Sequence, residues 1–251
     1  MSWRLVIETA TRRTVVAVGQ GRLLVAADVL DAPNRHGTRL MAQLTSVLTE
    51  AGISIADIAA IGVGTGPGSF TGLRVGLATA KTLAAVRHLA LVGLPTDEAL
   101  RRAVAGDLGA AGSDALVLLP AGARDHYLGA AGADPVLVPP GTDMAAIVGR
   151  RPLLAVDVAT DGAWLAACAA AALADGFPDP VALGLAATAG LPTALLGLLD
   201  ERLERCEVAD PATLVPRYVA LPRGIPAATA GAADALDTAH GGEGTWSPGF
   251  R

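Results

Sequence analysis

The sequence predicts an α/β fold in which a mixed sheet combines hairpins with helical crossovers. Three apolar runs of strand type open the chain at 4–9, 14–19 and 22–30, and the gaps between them are short enough for hairpins. A helical pattern, a buried strand, a second helix and another strand then follow. The resulting order βββαβα indicates an α/β architecture rather than a β-sandwich.

The later elements of this first half have individual signals. Apolar residues recur at helical spacing over 40–51, and Gly52 is a natural C-terminal cap. Residues 55–64 form an apolar run typical of a buried strand, and 89–95 form a shorter one. Thr96 follows this last strand, so we expect it to be the N-cap of a further helix.

The second half of the chain repeats strand and helix signals more weakly. Strands are expected at 115–120, 125–132, 135–140 and 151–158, and helices at 162–176 and 192–206. The uncharged run 181–199 contains Pro192, where we expect a helix to begin after a buried strand or loop. We therefore expect an N-terminal lobe over 1–105, a C-terminal lobe over 106–222 and a disordered Ala/Gly/Pro-rich tail over 223–251.

The composition limits the classes of function. The net charge is −5 with few clustered basic residues, which argues against binding nucleic acid by the chain's own electrostatics. The two cysteines, Cys168 and Cys206, stand alone, as is typical of free thiols in a reducing compartment. The N-terminus has no signal-peptide pattern, and Pro192 interrupts the longest uncharged run. We expect a cytoplasmic protein with no membrane partner.

The glycine-rich stretch "GTGPGSFTGLRVGLATAKTLA", residues 64–84, does not fit a phosphate-binding or acyl-transfer motif. A Walker A loop needs a lysine directly after its last glycine, but the nearest one is Lys81. The spacing GxGxG is not the dinucleotide pattern GxGxxG, and Pro67 stands where a nucleophile elbow has its first glycine. The stretch instead predicts a sharp strand-to-helix turn, with positive φ at Gly66 and Gly68 and with Ser69 or Thr71 as the cap.

The helix after this turn has a face of small residues. Gly72, Gly76 and Ala80 recur every four residues, and glycine inside a helix costs about 1 kcal/mol relative to alanine. Something must therefore approach this face closely, either a neighbouring helix of the same chain or a helix of a partner. The helix that carries Leu40 and Leu44 is the obvious neighbour.

Other candidate chemistry is sparse. The four histidines lie in separate segments without a metal-binding pair. The acidic pairs 97–98 and 157/161, and Glu8, do not form a recognisable catalytic pattern. The sequence therefore predicts no catalytic residue and no metal ligand.

Stretches of the chain resemble the TsaB (YeaZ) family of tRNA threonylcarbamoyladenosine biosynthesis. The glycine-rich stretch resembles the family signature, and "LVIETATRRTVVAV" resembles its opening strand. "LALVGLPTDEALRRA" resembles the segment after the signature helix, and "LVPRYVALP" resembles the closing motif. The resemblance implies an actin/Hsp70-like (ASKHA) fold of two ribonuclease-H-like lobes with mixed sheets.

The resemblance also implies a function and partners. A family member forms a heterodimer with TsaD, joins TsaE in a ternary complex and supports threonylcarbamoyl transfer to adenosine 37 of tRNA, which it contacts only indirectly. It is not itself an enzyme, it binds no cofactor alone, and it can form a homodimer when alone. ATP or ADP is possible at the complex interface. In TsaD a metal-binding HxxxH motif lies where this chain has Thr96 and Leu100, which cannot replace it.

The family contact through the first two helices of the N-terminal lobe gives a set of expected site residues. The partner-binding residues are expected to be Leu40, Leu44, Gly72, Leu73, Gly76 and Ala80. The signature loop comprises Gly66, Pro67, Gly68, Ser69, Phe70, Thr71 and Arg74. On this interpretation, Gly76→Leu would abolish the heterodimer and leave the monomer folded.

Three positions depart from the family pattern. Glu8 replaces the usual Asp on the first strand, His36-Gly37-Thr38 replaces His-Ser-Glu, and Pro120 replaces an Asp in the second lobe. The extra methylene of Glu8 weakens the case for a magnesium–nucleotide site. The alternative function is an enzyme in its own right, of the phosphotransferase or peptidase type, which would require a magnesium-binding Asp on the first strand or a pair of metal ligands, and the sequence has neither.

Overall fold

Two β-sheets organise the chain. The computed structural model describes residues 2–31, 36–121, 125–139, 142–158 and 163–219. The first sheet has the order β3-β2-β1-β4-β5 and the second has the order β8-β7-β6-β9. The strands of the first sheet are β1 (Trp3–Glu8), β2 (Arg13–Gln20), β3 (Leu23–Asp31), β4 (Ile58–Gly66) and β5 (Ala90–Pro95). Those of the second are β6 (Leu116–Pro120), β7 (His126–Gly129), β8 (Val136–Val138) and β9 (Leu153–Ala155).

Both sheets mix antiparallel hairpins with a parallel crossover. In the first sheet β1 pairs antiparallel with β2 and parallel with β4, and β4 pairs parallel with β5. In the second sheet β6 pairs antiparallel with β7 and parallel with β9. The mixed α/β architecture expected from the sequence is confirmed.

Helices cover these sheets and connect their strands. They are α1 (His36–Glu50), α2 (Phe70–Arg87), α3 (Thr96–Ala103), α4 (Ala105–Leu108), α5 (Met144–Val148), α6 (Ala163–Ala174) and α7 (Pro180–Glu204). Short 3-10 turns at Ile55–Asp57 and Gly109–Asp114 precede β4 and β6. Gly52 terminates α1 as expected, with φ at 68° and its amide bonded to the Thr49 carbonyl at 3.0 Å.

Alternate side chains of β1 pack into two different hydrophobic cores, one on each face of the first sheet. Leu5 and Ile7 pack on one face of the first sheet with residues of α1 and α2. Val6 points to the other face, where it joins a core that includes Val117 of the second sheet and Leu195 of α7. The period of two along a strand explains why neighbouring residues serve different cores. The second core joins both sheets.

One expectation for the second half is wrong. A single helix, α7, runs from Pro180 to Glu204, with Pro192 in its interior. Pro192 supplies no backbone N–H and removes one helical hydrogen bond. Leu191 and Leu195 are fully buried on either side of it, and this burial outweighs the local signal to begin a new helix.

Helix α7 is also the one helix, within the part of the chain that the structure describes, with the length and composition of a membrane span. Of its most apolar window, 61% is buried inside the protein, which is typical of a core helix.

The two sheets lie on either side of the expected lobe boundary near residue 105. Met1–Val219 nevertheless groups as one compact unit, and the division into two lobes stays a prediction. The tail expected from residue 223 lies outside the described residues.

The start of α7 gives a test of the capping interaction. Asp179 accepts hydrogen bonds from the amides of Val181 and Ala182 at 2.9 and 3.0 Å. We expect Asp179→Ala to lower the free energy of unfolding by about 1 kcal/mol, because both amides lose this partner. Urea denaturation measures the change. Asp179→Asn keeps an oxygen acceptor and is the control; an equal loss in both variants would contradict the capping role.

Candidate functional site

The turn between β4 and α2 has the geometry expected from its sequence. Gly66 has φ at 97° and Gly68 has φ at 157°, both positive. Ser69 is the N-cap of α2, since its hydroxyl accepts a hydrogen bond from the Gly72 amide at 3.1 Å. Thr71, the alternative cap, lies within the helix.

Two amides around the start of α2 are used within the chain. The Ser69 amide donates to the Ala10 carbonyl at 2.7 Å, and the Gly72 amide donates to Ser69. A Cβ on Gly68 would overlap the backbone of Ala10, so the turn lies directly against the end of β1. These bonds and this close approach agree with a structural turn.

The small-residue face of α2 packs on the chain's own first sheet. A Cβ on Gly72 would overlap the Thr9 carbonyl oxygen, and a Cβ on Gly76 would overlap the Thr9 hydroxyl. The Thr9 hydroxyl also donates to the Gly72 carbonyl at 2.8 Å. The close approach inferred from the two glycines is therefore real, but its partner is a strand end rather than a helix.

This packing corrects the expected partner-binding set. Leu40, Leu44, Leu73 and Ala80 expose between 0 and 4% of their surface, and Gly72 and Gly76 are buried. These residues form the core-facing sides of the two helices and cannot reach a partner in this fold. The set that the sequence predicted, and that this burial contradicts, is Leu40, Leu44, Gly72, Leu73, Gly76 and Ala80.

The opposite sides of α1 and α2 give a candidate surface on two helices that contact each other. We call it the helix-pair face. Its exposed members are Met41, Ala42, Thr45, Ser46 and Thr49 on α1, and Ala78, Thr82, Ala85 and Val86 on α2. Arg74 is the one exposed charge in the middle of this face, and the exposed charges Arg39, Glu50 and Arg87 lie at the ends of the two helices. The middle of the face is therefore mostly uncharged, which suits a contact surface with a polar rim.

A hydrogen-bonded cluster joins the ends of three strands near the turn. Glu8 has no exposed surface, and its carboxyl accepts from the Ala10 amide at 2.5 Å and the Thr96 hydroxyl at 2.7 Å. The Thr96 hydroxyl in turn accepts from the Gly66 amide at 3.1 Å. Burial raises the pKa of Glu8 above its ordinary value of 4.5, and the hydrogen bonds to its carboxyl oppose this rise.

This cluster corrects the role expected for Thr96. The N-cap position of α3 belongs to Pro95, which makes no side-chain capping bond. Thr96 and Leu100, which lie where TsaD is expected to have its metal motif, are fully buried. Within the described ranges, no group of three His, Cys, Asp or Glu residues lies close enough to hold a metal ion.

The segment after α7 packs against β5 and the signature turn, and the sequence did not predict this contact. The Ala209 amide donates to the Leu91 carbonyl at 2.7 Å, at the outer edge of β5. The Arg217 amide donates to the Thr65 carbonyl at 2.8 Å, next to the turn. Tyr218 packs on Phe70 with ring centroids 5.2 Å apart. The closing motif "LVPRYVALP", which contains Arg217 and Tyr218, was the signal in the sequence that could have indicated this role.

Comparisons with known proteins agree with this geometry. The family model described as TsaD, tRNA N6-adenosine threonylcarbamoyltransferase, matches residues 30–139. The TsaB protein of Escherichia coli (strain K12) is 38% identical over 92 residues, which cover 37% of this chain and 39% of that protein. A protein of Mycobacterium tuberculosis (strain H37Rv) is 32% identical over 163 residues, covering 64% of this chain and 74% of that protein.

Solved structures show the same fold. The chain is similar to YeaZ from Pseudomonas aeruginosa with a TM-score of 0.61 at 20% identity, covering 87% of this chain and 100% of that one. The two mixed sheets and this likeness show an actin/Hsp70-like (ASKHA) fold. The chain belongs to the TsaB (YeaZ) family. Its match spans about two fifths of the length of the E. coli TsaB protein.

The glycine face gives a test that separates packing from docking. We expect Gly76→Leu to destabilise the isolated chain by at least about 2 kcal/mol, because its side chain would overlap Thr9. This replaces the expectation that the variant stays folded. Thermal unfolding followed by circular dichroism measures it. Ala78→Leu, on the exposed side of the same helix, is the control and should remain folded; an unchanged melting temperature for Gly76→Leu would contradict the packing.

The buried carboxyl predicts a pH dependence of stability. The pKa of Glu8 in the folded chain is raised above its ordinary value of 4.5. The folded chain therefore binds a proton at this carboxyl more tightly than the unfolded chain does. The stability of the wild type relative to Glu8→Gln should therefore be greatest below pH 4.5, fall as pH rises through the folded pKa and then level off. Urea unfolding of both proteins across a pH series measures this difference. A difference that rises with pH would be inconsistent with a raised pKa.

Proposed function

We propose that this chain is a non-catalytic subunit that binds a TsaD-type protein and supports threonylcarbamoyl transfer to adenosine 37 of tRNA. The observation that carries the proposal is the helix-pair face, an exposed surface on two adjacent helices whose middle part carries one exposed charge, Arg74. The names of the E. coli and Bacillus subtilis relatives, which are tRNA threonylcarbamoyladenosine biosynthesis proteins, supply the pathway.

The shape of the helix-pair face suits a helical partner. Ala42, Ser46, Ala78 and Ala85 have short side chains, so a partner helix can approach their backbones closely. Met41 and Val86 expose 56% and 71% of their surface and provide larger apolar groups for burial. A contact between two pairs of helices would remove both from water.

A TsaD-type partner fits this face better than an unrelated protein. The TsaD family model matches residues 30–139, a region that contains α1 and α2. A partner of the same family has equivalent helices, and two such pairs pack around an approximate twofold axis. A homodimer of this chain would use the same face, and the heterodimer replaces it when the TsaD-type protein is present and binds more tightly.

Catalysis is assigned to the partner because of the groups that lie at the end of β1 and directly after β5 in this chain. Glu8 is enclosed and hydrogen bonded, and Thr96 and Leu100 offer no metal ligand at their positions. We propose that a TsaE-type ATPase completes the assembly and that ATP or ADP binds at the boundary between subunits. Contact of tRNA with this chain is indirect, consistent with its net charge of −5.

The decisive experiment combines purification with an activity assay. The chain and the TsaD protein of the same organism are expressed separately and together, and co-purification is measured by size-exclusion chromatography. Threonylcarbamoylation of tRNA is then assayed with each protein alone and with the mixture. A TsaE protein and a source of the threonylcarbamoyl group are present in every assay. Activity only in the mixture is expected. Activity with this chain alone would instead establish an enzyme.

A single substitution tests the docking surface. We expect Ala78→Glu to weaken the heterodimer by at least about 2 kcal/mol, roughly 30-fold in Kd, because the contact would take a carboxylate out of water between helices. Fluorescence anisotropy with the labelled partner measures Kd. Ala167→Glu, an equally exposed alanine of α6, is the matched control and should bind as the wild type does. Wild-type affinity for the Ala78 variant would place the interface elsewhere.

A further inference from the structure

A cleft on the side of the molecule formed by α3 contains a group of charged residues that the proposed function does not use. Its volume is about 540 Å³, within the range of small-molecule sites. Small residues of the turn after β7, 130–133, line one wall. Asp97 and Arg101 of α3 line the opposite wall, and Arg217 of the C-terminal segment also faces the cleft.

Asp97 lies between two guanidinium groups. Its side chain is 2% exposed, and its two oxygens lie 3.3 Å from Nη1 of Arg101 and 3.3 Å from Nη1 of Arg217. One carboxylate thus faces two positive charges, and Asp97, Arg101 and Arg217 together carry a net charge of about +1. Glu98 and Asp134 also line the cleft, and Arg202, which pairs with Glu98 at 2.8 Å, is shared with Glu207 at 3.3 Å. An anion would therefore enter by exchange for a carboxylate rather than by attraction to an excess of positive charge.

Arg217 already holds a second carboxylate from the solvent side. Its Nη2 lies 3.2 Å from Asp134, whose side chain is entirely exposed. An ion pair with a fully exposed partner contributes little, so another anion can take the place of Asp134 at small cost. Because Nη1 of Arg217 is already paired with Asp97, a ligand oxygen would take the position of Asp134 on Nη2, where a carboxylate or a phosphate oxygen fits.

The backbone holds Arg217 in position for such a ligand. Its amide is fixed by the Thr65 carbonyl at 2.8 Å, and the next residue, Tyr218, packs on Phe70. Gly129 leaves room for the side chain of Asp97, since a Cβ at position 129 would lie 2.8 Å from Oδ2 of Asp97. A fixed arginine beside an open volume loses little freedom when a ligand binds.

We propose that this cleft binds a small compound with a phosphate or carboxylate group, which takes the place of the Asp134 carboxylate on Arg217. The inference goes beyond the proposed function, because it needs neither the TsaD-type partner nor tRNA. It is tested on the isolated full chain, so its outcome is independent of whether the heterodimer forms.

The test is isothermal titration calorimetry of the full chain at constant ionic strength with inorganic phosphate, ADP and succinate. Saturable one-site binding of at least one probe is expected below about 10 mM. A preference for phosphate and ADP over succinate assigns a phosphate ligand, and the reverse assigns a carboxylate ligand. Absence of saturable binding for all three would overturn the proposal.

Variants locate the binding within the chain. Arg217→Gln should weaken binding at least about tenfold, and Asp134→Asn should strengthen it because it removes the competing carboxylate. Arg150→Gln removes an exposed arginine whose partner is Asp175 and is the matched control. If Arg217→Gln fails to fold by circular dichroism, Asp134→Asn carries the test. Unchanged affinity in Asp134→Asn, or equal losses in the two arginine variants, would contradict the site.

Discussion

The contact between Thr9 and the glycine face of α2 determines the geometry of the candidate site. The Thr9 hydroxyl donates to the Gly72 carbonyl at 2.8 Å, and neither Gly72 nor Gly76 has room for a Cβ beside it. Helix α2 can lie this close to β1 only because both residues are glycine. The same contact decides which side of α2 enters the core and which side remains on the surface, and so creates the helix-pair face.

The C-terminal segment holds the signature turn from the opposite direction. Arg217 bonds to the Thr65 carbonyl, Tyr218 packs on Phe70, and Lys81 of α2 donates to the Leu214 carbonyl at 3.0 Å. The turn is thus fixed by the end of β1 on one side and by the end of the described chain on the other. A surface fixed in this way loses little conformational freedom when a partner binds, which favours docking over ligand-induced closure.

Features set by neighbours in the sequence could be predicted, while those set by distant residues could not. The Ser69 cap and the turn at Gly52 depend on a few adjacent residues and were correct. The glycines of α2 revealed a close approach, but a helical pattern does not say whether a strand end or a helix fills the space. Pro192 signalled a helix start, yet the burial of its neighbours in a core built from both sheets overrode that signal.

Glu8, Gly66 and Thr96 link the ends of three strands and are consistent with the supporting role that we propose. β1, β4 and β5 run parallel, so Glu8, Gly66 and the residue after β5 meet at one edge of the sheet. Ligands of open α/β sheets bind at such carboxyl edges. Here the Glu8 carboxyl accepts from Thr96, and Thr96 accepts from the Gly66 amide, so these groups satisfy one another. The same bonds tie the signature turn to the sheet. An edge that would hold a ligand in an enzyme thus stabilises the turn and α2, and with α2 the helix-pair face that we propose for the partner.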